Sequence, residues 1–268
     1  MTEAPGLAPA ALRTVYDQQL RARVPEPLPA GVRVDRDGPL VRFFGLSEGG
    51  FLTYTGLGGL TGDDLDALIA RQRDQFAALG QPVEWKLHGH DEPADLADRL
   101  RAAGFVPEPA ETVMVGPVAP LAAAVPVLPD GVRLREVSAR ADLDRIEAME
   151  ATVWGAAQGW RADVLDRELA ADPQALTVLA AEAGGDVVSA GWVRYEGDTA
   201  FASLWGGATL PAWRGRGIYR ALVAARARLA GARGRTLLQV DASENSRPIL
   251  ERLGFVAVTT TTPFVFRP

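Results

Sequence analysis

Apolar positions along the second half of the chain change period several times, and each change marks an element. Leu143, Ile146, Met149 and Val153 recur at helical spacing, which predicts a helix over 142–153; a second follows over 161–171, with Pro173 just past its end. Three apolar runs, 176–183, 187–195 and 199–208, meet at Ala183-Gly184-Gly185-Asp186 and at Glu196-Gly197-Asp198, so they read as consecutive strands joined by tight turns. Ile218, Ala221, Leu222, Ala225 and Leu229 then give one face of a helix over 217–229. A buried strand over 236–240, a helix over 247–253 closed by Gly254, and strands over 255–258 and 262–266 finish the pattern. With a first strand over 132–137 the order is βααβββαβαββ, a mixed α/β sandwich in which helices flank a mixed sheet.

The first half repeats part of the second. A leading helix runs from Pro9 to Val24, with Leu12, Val15, Tyr16 and Leu20 on one face, and Pro25-Glu26-Pro27 stops it. Leu28-Pro29-Ala30-Gly31-Val32-Arg33 then returns 100 residues later as Leu128-Pro129-Asp130-Gly131-Val132-Arg133. Leu100-Arg101-Ala102-Ala103-Gly104-Phe105-Val106 returns 150 residues later as Leu250-Glu251-Arg252-Leu253-Gly254-Phe255-Val256, and the pairs Phe51 and Phe201, Gly56 and Gly206, Leu60 and Leu210, and Asp91 and Asp241 keep that spacing. Such constant offsets predict two copies of one unit, the first shorter in its front part. The proline-punctuated stretch from Gly116 to Pro126 reads as a linker. The expected organisation is a leading helix in 1–27, a partial copy in 28–116, a linker in 117–127 and a complete copy in 128–268.

Composition narrows the function classes. The 268 residues are 47% hydrophobic and 23% charged, with a mean hydropathy of +0.01, enough apolar mass for a core in each half. No apolar run approaches the roughly 20 residues of a membrane span, and the N-terminal segment lacks the pattern of a signal peptide, so no membrane partner and a cytoplasmic location are expected. The absence of cysteine removes disulfides, thiolate metal sites and any cysteine acyl-enzyme. With 28 basic and 34 acidic residues the net charge is −6, which argues against a nucleic-acid partner. Arg226, Arg228, Arg233 and Arg235, on and after the helix over 217–229, read as its solvated face. His88 and His90 stand beside Asp91-Glu92 without further ligands at a recognisable spacing, so no metal is expected.

One segment carries chemistry. Pro211-Ala212-Trp213-Arg214-Gly215-Arg216-Gly217-Ile218-Tyr219-Arg220 joins a strand to a helix. Its two glycines let the N–H groups of Arg216, Gly217, Ile218 and Tyr219 converge where the helix N-terminus adds partial positive charge, an arrangement suited to pyrophosphate. Arg214, Arg216 and Arg220 add charge. A dinucleotide fold would need a third glycine near 220, where arginine stands, and a nucleotide P-loop would need Gly-Lys-Ser/Thr, whereas the only lysine is Lys86. Coenzyme A remains.

On these residues the segment 132–266 resembles a GCN5-related N-acetyltransferase (GNAT) domain. The family's pyrophosphate motif, Arg/Gln-x-x-Gly-x-Gly/Ala, is similar to Arg214-Gly215-Arg216-Gly217-Ile218-Tyr219, and its Leu-Gly-Phe ending to Leu253-Gly254-Phe255. Two departures stand out: Tyr219 replaces the usual Gly or Ala, and Leu250 occupies the place of the tyrosine that protonates the leaving thiolate in many members. The resemblance implies acetyl-CoA as acetyl donor, with its pantetheine arm along Ala208 and Thr209 and its diphosphate on the loop from Arg214 through Gly215, Arg216, Gly217, Ile218 and Tyr219 to Arg220. Asn245 and Ser246 would either touch the cofactor's arm or cap the last helix. The first copy from Phe51 to Val115 resembles the back half of such a domain, but Asp64-Leu65-Asp66-Ala67 falls at the motif's place, and its carboxylates would repel a diphosphate.

A chain without cysteine implies direct attack by an amine in a ternary complex, which needs a base to take the amine's proton and N–H donors facing the developing oxyanion, here around Thr209. Candidate bases are Glu147, Glu150, Glu196, Asp198 and Asp241, with Glu150 preferred because its helix borders the acceptor site in the family; Tyr219 or a water replaces the missing acid. Trp154, Trp160, Trp192 and Trp205 either line an acceptor pocket or pack in the core. The expected activity is N-acetylation of a small-molecule amine, with a homodimer as a possible assembly. The alternative is a catalytically silent acyl-CoA-binding or regulatory module.

Overall fold

The strands of each half pair in a related pattern, a run of antiparallel strands, three in the first half and four in the second, followed by one parallel pairing. The computed structural model describes residues 8–155 and 159–268, so the first seven positions of the expected leading segment lie outside the described residues. Along the chain run α1 (Pro9–Gln19), β1 (Arg33–Asp37), β2 (Leu40–Leu46), β3 (Gly49–Thr53), α2 (Gly62–Ala78), β4 (Val83–His88), α3 (Leu96–Ala102), β5 (Val106–Pro107), β6 (Glu111–Pro117) and α4 (Val118–Ala123). There follow β7 (Val132–Val137), α5 (Arg140–Trp154), α6 (Arg161–Ala171), β8 (Leu176–Ala183), β9 (Asp186–Tyr195), β10 (Phe201–Thr209), α7 (Ile218–Ala232), β11 (Leu237–Ala242), α8 (Arg247–Arg252) and β12 (Val256–Phe266). The chain forms two compact units: Met1–Met114 with Asp241–Ile249 and Val256–Pro268, and Val115–Val240 with Leu250–Phe255. These units group the last strand with the first half of the sequence, which a linear division at the proline-rich stretch does not.

In the first unit β1, β2 and β3 are antiparallel neighbours, and β3 runs parallel to β4 from Gly50 opposite Val83 to Leu52 opposite Trp85. β12 completes this sheet, antiparallel to β4 from Thr261 opposite His88 to Phe266 opposite Val83, and also pairs with β5. The two terminal strands expected over 255–258 and 262–266 are one strand, because Thr259-Thr260-Thr261 between them are β-branched and offer no breaker. Leu40, Leu52, Leu65, Ile69, Phe76, Val83, Trp85, Leu100 and Phe264 form the core beneath α2 and α3.

In the second unit β7, β8, β9 and β10 are antiparallel neighbours, and β10 runs parallel to β11 from Phe201 opposite Leu237 to Ser203 opposite Gln239. Phe51 and Phe201, 150 residues apart in the repeat, thus lie in equivalent strands, Phe201 as the first and Phe51 as the second residue of a three-residue parallel pairing. α5 and α6 cover one face of this sheet through Leu143, Ile146, Met149, Ala162 and Leu165, packed on Val178, Ala190 and Trp192. α7 lies on the opposite face, with Ile218 against Val132, Ala181 and Val188. The expected linker contains α4, whose Val118 and Leu121 are buried; its prolines, Pro117 at the N-cap and Pro120 in the first turn, are where a helix tolerates them. Arg228 Nη1 on α7 donates to Ala124 O at the end of α4, at 3.0 Å. Among the described residues no helix is long and apolar enough to cross a membrane.

The tightest helix-to-sheet approach in the first unit is at Gly50, where a Cβ would stand 2.0 Å from the Phe76 ring. Gly50→Ala is expected to cost about 1–3 kcal/mol of stability through overpacking. Gly56→Ala, where a Cβ meets nothing within 4 Å, should stay within about 0.5 kcal/mol. Urea denaturation of both variants beside the wild type checks this.

Candidate functional site

Beyond Ser203 and Gln239, β10 and β11 cease to pair, so the sheet of the second unit opens along the last six residues of β10. The strand also loses register with β9 between Gly206 and Ala208. Gly206 and Gly207 have φ of +69° and +83°, and both are boxed in: a Cβ at Gly206 would stand 2.5 Å from the Trp192 ring, and one at Gly207 2.9 Å from the Tyr219 ring. Only glycine fits either place, and the pair makes a bulge that turns the end of the strand. Two adjacent glycines inside a predicted strand were the signal for it in the sequence.

The candidate cofactor residues follow directly. Ala208 is buried and Thr209 half-buried. Ser189 Oγ donates to Ala208 O at 2.7 Å and meets Thr209 Oγ1 at 2.8 Å, while Arg214 Nε folds back to donate to Thr209 O at 3.0 Å. Arg214 is therefore tied to the strand, and no pattern along the chain points to Ser189. A 3-10 turn over Pro211–Trp213 leads into Gly215 and Gly217, with φ of +73° and +84°, and Gly217 is the N-cap of α7. The N–H groups of the first turn of α7 have no acceptor within the helix, and no acidic residue stands there. Arg216 is exposed and lies over the Trp213 ring at 5.0 Å; Arg220 Nη2 lies 3.4 Å from where a Cβ at Gly217 would be. Gly215 faces open space. Loop, helix end and arginines thus form a cradle that carries glycine at 215 and 217 and no acidic residue in the first turn of α7, and a diphosphate fits it.

Tyr219 sits beneath the bulge rather than in solvent. Burial raises its hydroxyl pKa, and the Arg226 guanidinium beside it works in the opposite direction. Arg226 corrects the sequence expectation: it is 1% exposed, not part of a solvated face. Its Nε donates to Leu222 O at 3.1 Å, and its Nη1 donates to Trp205 O at 3.1 Å and Trp192 O at 3.4 Å. The buried row of α7 is Ile218, Leu222, Arg226 and Ala230, successive residues four apart, so the arginine occupies a core position of the helix.

The candidate bases separate by environment. Glu147 accepts the N–H groups of Arg161 at 3.3 Å and Ala162 at 3.2 Å, capping α6. Glu150, 5% exposed, pairs with Arg161 Nε at 3.0 Å; burial raises its pKa against the pull of Arg161. Arg161 in turn lies over the rings of Trp160 at 5.3 Å and Trp192 at 5.6 Å, which joins Glu150 to the ring that boxes in Gly206. Glu196 accepts from Ser203 Oγ, which accepts from Trp205 Nε1 at 2.8 Å, and Asp198 is exposed in its turn. Trp192 is core; Trp154 and Trp205 are exposed.

Asn245, Ser246 and Asp241 belong to the first unit. The turn before α8 is held by Ser243, whose carbonyl accepts the N–H groups of Ser246 at 3.1 Å and Arg247 at 2.9 Å. Asp241 pairs with Lys86 Nζ at 2.6 Å, in a group that also contains Glu84 and Glu111. In this unit the position of the cofactor loop is helical: Asp64-Leu65-Asp66-Ala67 lies in α2, with Asp63 and Asp64 in its first turn. The opening past Leu52 and Trp85 is closed by Tyr54, which is 1% exposed, donates to Asp91 at 2.6 Å and accepts from Trp85 Nε1 at 3.2 Å. Both histidines are engaged, His88 with Tyr16 at 3.0 Å and His90 with Asp17 at 3.0 Å and Thr259 at 2.8 Å.

The sequence profile of the acetyltransferase (GNAT) family matches residues 143–255. Solved structures with this architecture include a GCN5-related N-acetyltransferase from Kribbella flavida, 18% identical, with 99% of this chain and 97% of that one covered and a TM-score of 0.65. A tandem GNAT protein from the clavulanic acid biosynthesis pathway is 14% identical over 99% of this chain and 95% of its own, with a TM-score of 0.64. A conserved protein of unknown function from Staphylococcus epidermidis is 12% identical over 92% and 98%, with a TM-score of 0.63. No curated protein matches the chain. At these identities the likeness carries the fold, a mixed sheet flanked by helices and present twice.

Burial raises the Glu111 carboxyl from 4.5 to about 7, with Asp241 and Glu84 adding to the shift and Lys86 opposing it. A carboxyl whose pKa is higher in the folded than in the unfolded protein binds its proton more tightly when folded, so stability is lost as the pH rises between the two values. Glu111→Gln should therefore melt above the wild type at pH 8 and together with it at pH 4, as thermal unfolding at the two pH values will show.

Proposed function

With residues 143–255 belonging to the acetyltransferase (GNAT) family, we propose that the second unit is an acetyl-CoA-dependent N-acetyltransferase acting on the primary amine of a small molecule. The observation that carries this reading is the parting of β10 from β11 immediately before a glycine-arginine cradle at the N-terminus of α7. In this reading the N–H groups of Gly215, Arg216, Gly217, Ile218 and Tyr219, with the side chains of Arg216 and Arg220, hold the diphosphate, and Arg214 braces the loop through Thr209 O. The free edge of β10 at Ala208 and Thr209 pairs with the amide groups of the pantetheine arm. Acetyl-CoA supplies an activated thioester.

The residues of the chain then manage protons and charge. The amine nitrogen attacks the thioester carbonyl carbon, a C–N bond forms as the C–S bond breaks, and the proton lost by nitrogen passes to Glu150 through water. Tyr219 returns a proton to the sulfur. Burial suits both groups to these roles, since it makes Glu150 more basic and keeps Tyr219 protonated. We assign no cofactor to the first unit, where Tyr54 closes the opening and acidic residues start α2. Leu250, fully buried where many GNAT members carry a tyrosine, favours a second reading, a silent acyl-CoA-binding module.

Titration calorimetry of acetyl-CoA into the wild type should give one site per chain, and the double substitution Arg216→Asp, Gly217→Asp should weaken binding more than 100-fold, about 2.7 kcal/mol. Equal affinity in the two proteins would overturn the assignment of the loop. Thiol release in the presence of pooled primary amines separates the enzyme from the silent module: an enzyme turns over, and a module binds without release.

A further inference from the structure

Among the described residues Arg226 is a cation without a counter-ion. It is 1% exposed, and among the described residues no carboxylate pairs with it. Its partners are the carbonyls of Leu222, Trp192 and Trp205, and its Nη2 is buried with no hydrogen-bond partner. Tyr219 is the only titratable side chain that bears on it among the described residues. A neutral donor would satisfy the same carbonyls without the desolvation that a guanidinium incurs, so the charge itself calls for a role.

Its position supplies one. The point where a Cβ at Gly191 would stand is 3.0 Å from Arg226 Nη1 and 3.1 Å from the backbone nitrogen of Gly207, so guanidinium and bulge meet there. Tyr219 closes the same space, its ring against Gly207 and its hydroxyl beside the guanidinium. The full positive charge is thus packed directly behind the stretch of β10 on which, in the acetyl-CoA reading, the thioester lies. In a low-dielectric interior such a charge acts over several ångströms.

Resting on that reading, we propose that Arg226 is a positioning residue for acyl transfer: its unneutralised guanidinium fixes the β10 bulge and the Tyr219 hydroxyl, and it favours negative charge on a sulfur held beside the bulge. The carbon–sulfur bond that breaks leaves its electron pair on sulfur, so the same charge stabilises the departing thiolate until a proton from Tyr219 reaches it.

The test needs no acceptor. Affinities of CoA and of desulfo-CoA, which lacks the ionisable sulfur, are measured by calorimetry from pH 6 to pH 10. In the wild type CoA should gain about tenfold over desulfo-CoA across this range, corresponding to a bound thiol pKa about one unit below that of free CoA. Arg226→Met should abolish the gain while desulfo-CoA still binds, and Arg226→Lys, which keeps the charge, and Tyr219→Phe, which keeps the arginine, should retain most of it. A wild-type ratio that does not change with pH overturns the proposal without any variant, which covers the case in which Arg226→Met fails to fold. A gain undiminished in a folded Arg226→Met also overturns it and leaves the arginine a structural role. If neither CoA nor desulfo-CoA binds, the acetyl-CoA reading falls and the proposal with it, whereas binding without the gain defeats the proposal alone.

Discussion

The parting of β10 from β11 after Ser203 is the constraint on which the rest of the second unit depends. A strand that leaves its neighbour exposes a row of backbone groups, and each needs a partner. At Trp205 O that partner is Arg226, at Ala208 O it is Ser189, and at Thr209 O it is Arg214. The paired glycines at 206 and 207 let the strand bend between the rings of Trp192 and Tyr219 where no side chain would fit. Each of these residues secures the strand from one side or from its end. The opposite edge is free of β11 past Ser203.

The first unit shows what the same ladder becomes when the opening is filled. Its parallel pairing also ends after three residue pairs, at Leu52 and Trp85. Tyr54 then swings in to meet Asp91 and Trp85, and Arg21, 2% exposed at its side chain, pairs with Asp91. This is a buried polar network, and such networks rigidify what they join. The two units therefore solve one backbone problem in opposite ways. One uses side chains that fill the gap, and the other a cation behind the strand that leaves the gap open.

Much of this was legible in the sequence. The repeat placed Phe51 and Phe201 in equivalent strands, helical periodicity located α5 and α6 within two residues of their observed bounds, and the glycine-arginine loop lies at a strand-to-helix junction as read. What stayed hidden was set by tertiary packing. Arg226 stands in the row of Ile218, Leu222 and Ala230, but the charge of an arginine outweighed its spacing, since charged side chains are rarely buried unpaired. Likewise Glu147 and Glu150, one turn apart, look alike in sequence; only the approach of α6 makes one a cap and the other the partner of Arg161. The grouping of β12 with the first unit is a long-range choice that local pattern does not encode, since its threonines would suit any sheet edge.

The position of Leu250 bears on how proton delivery is arranged. Leu250 is fully buried on α8, and a tyrosine hydroxyl buried at that place would need a polar partner. The hydroxyl that does exist near the bulge comes from the other end of the site, from the first turn of α7, where Tyr219 stands at a place that glycine or alanine would leave empty. Its ring fills the place that a Cβ at Gly207 would take, and its hydroxyl is what gives Arg226 a neighbour that can carry a proton. The bulky residue in the loop, the glycine in the strand and the arginine in the core are three parts of one arrangement, because a change at any of them removes the steric or electrostatic reason for the other two.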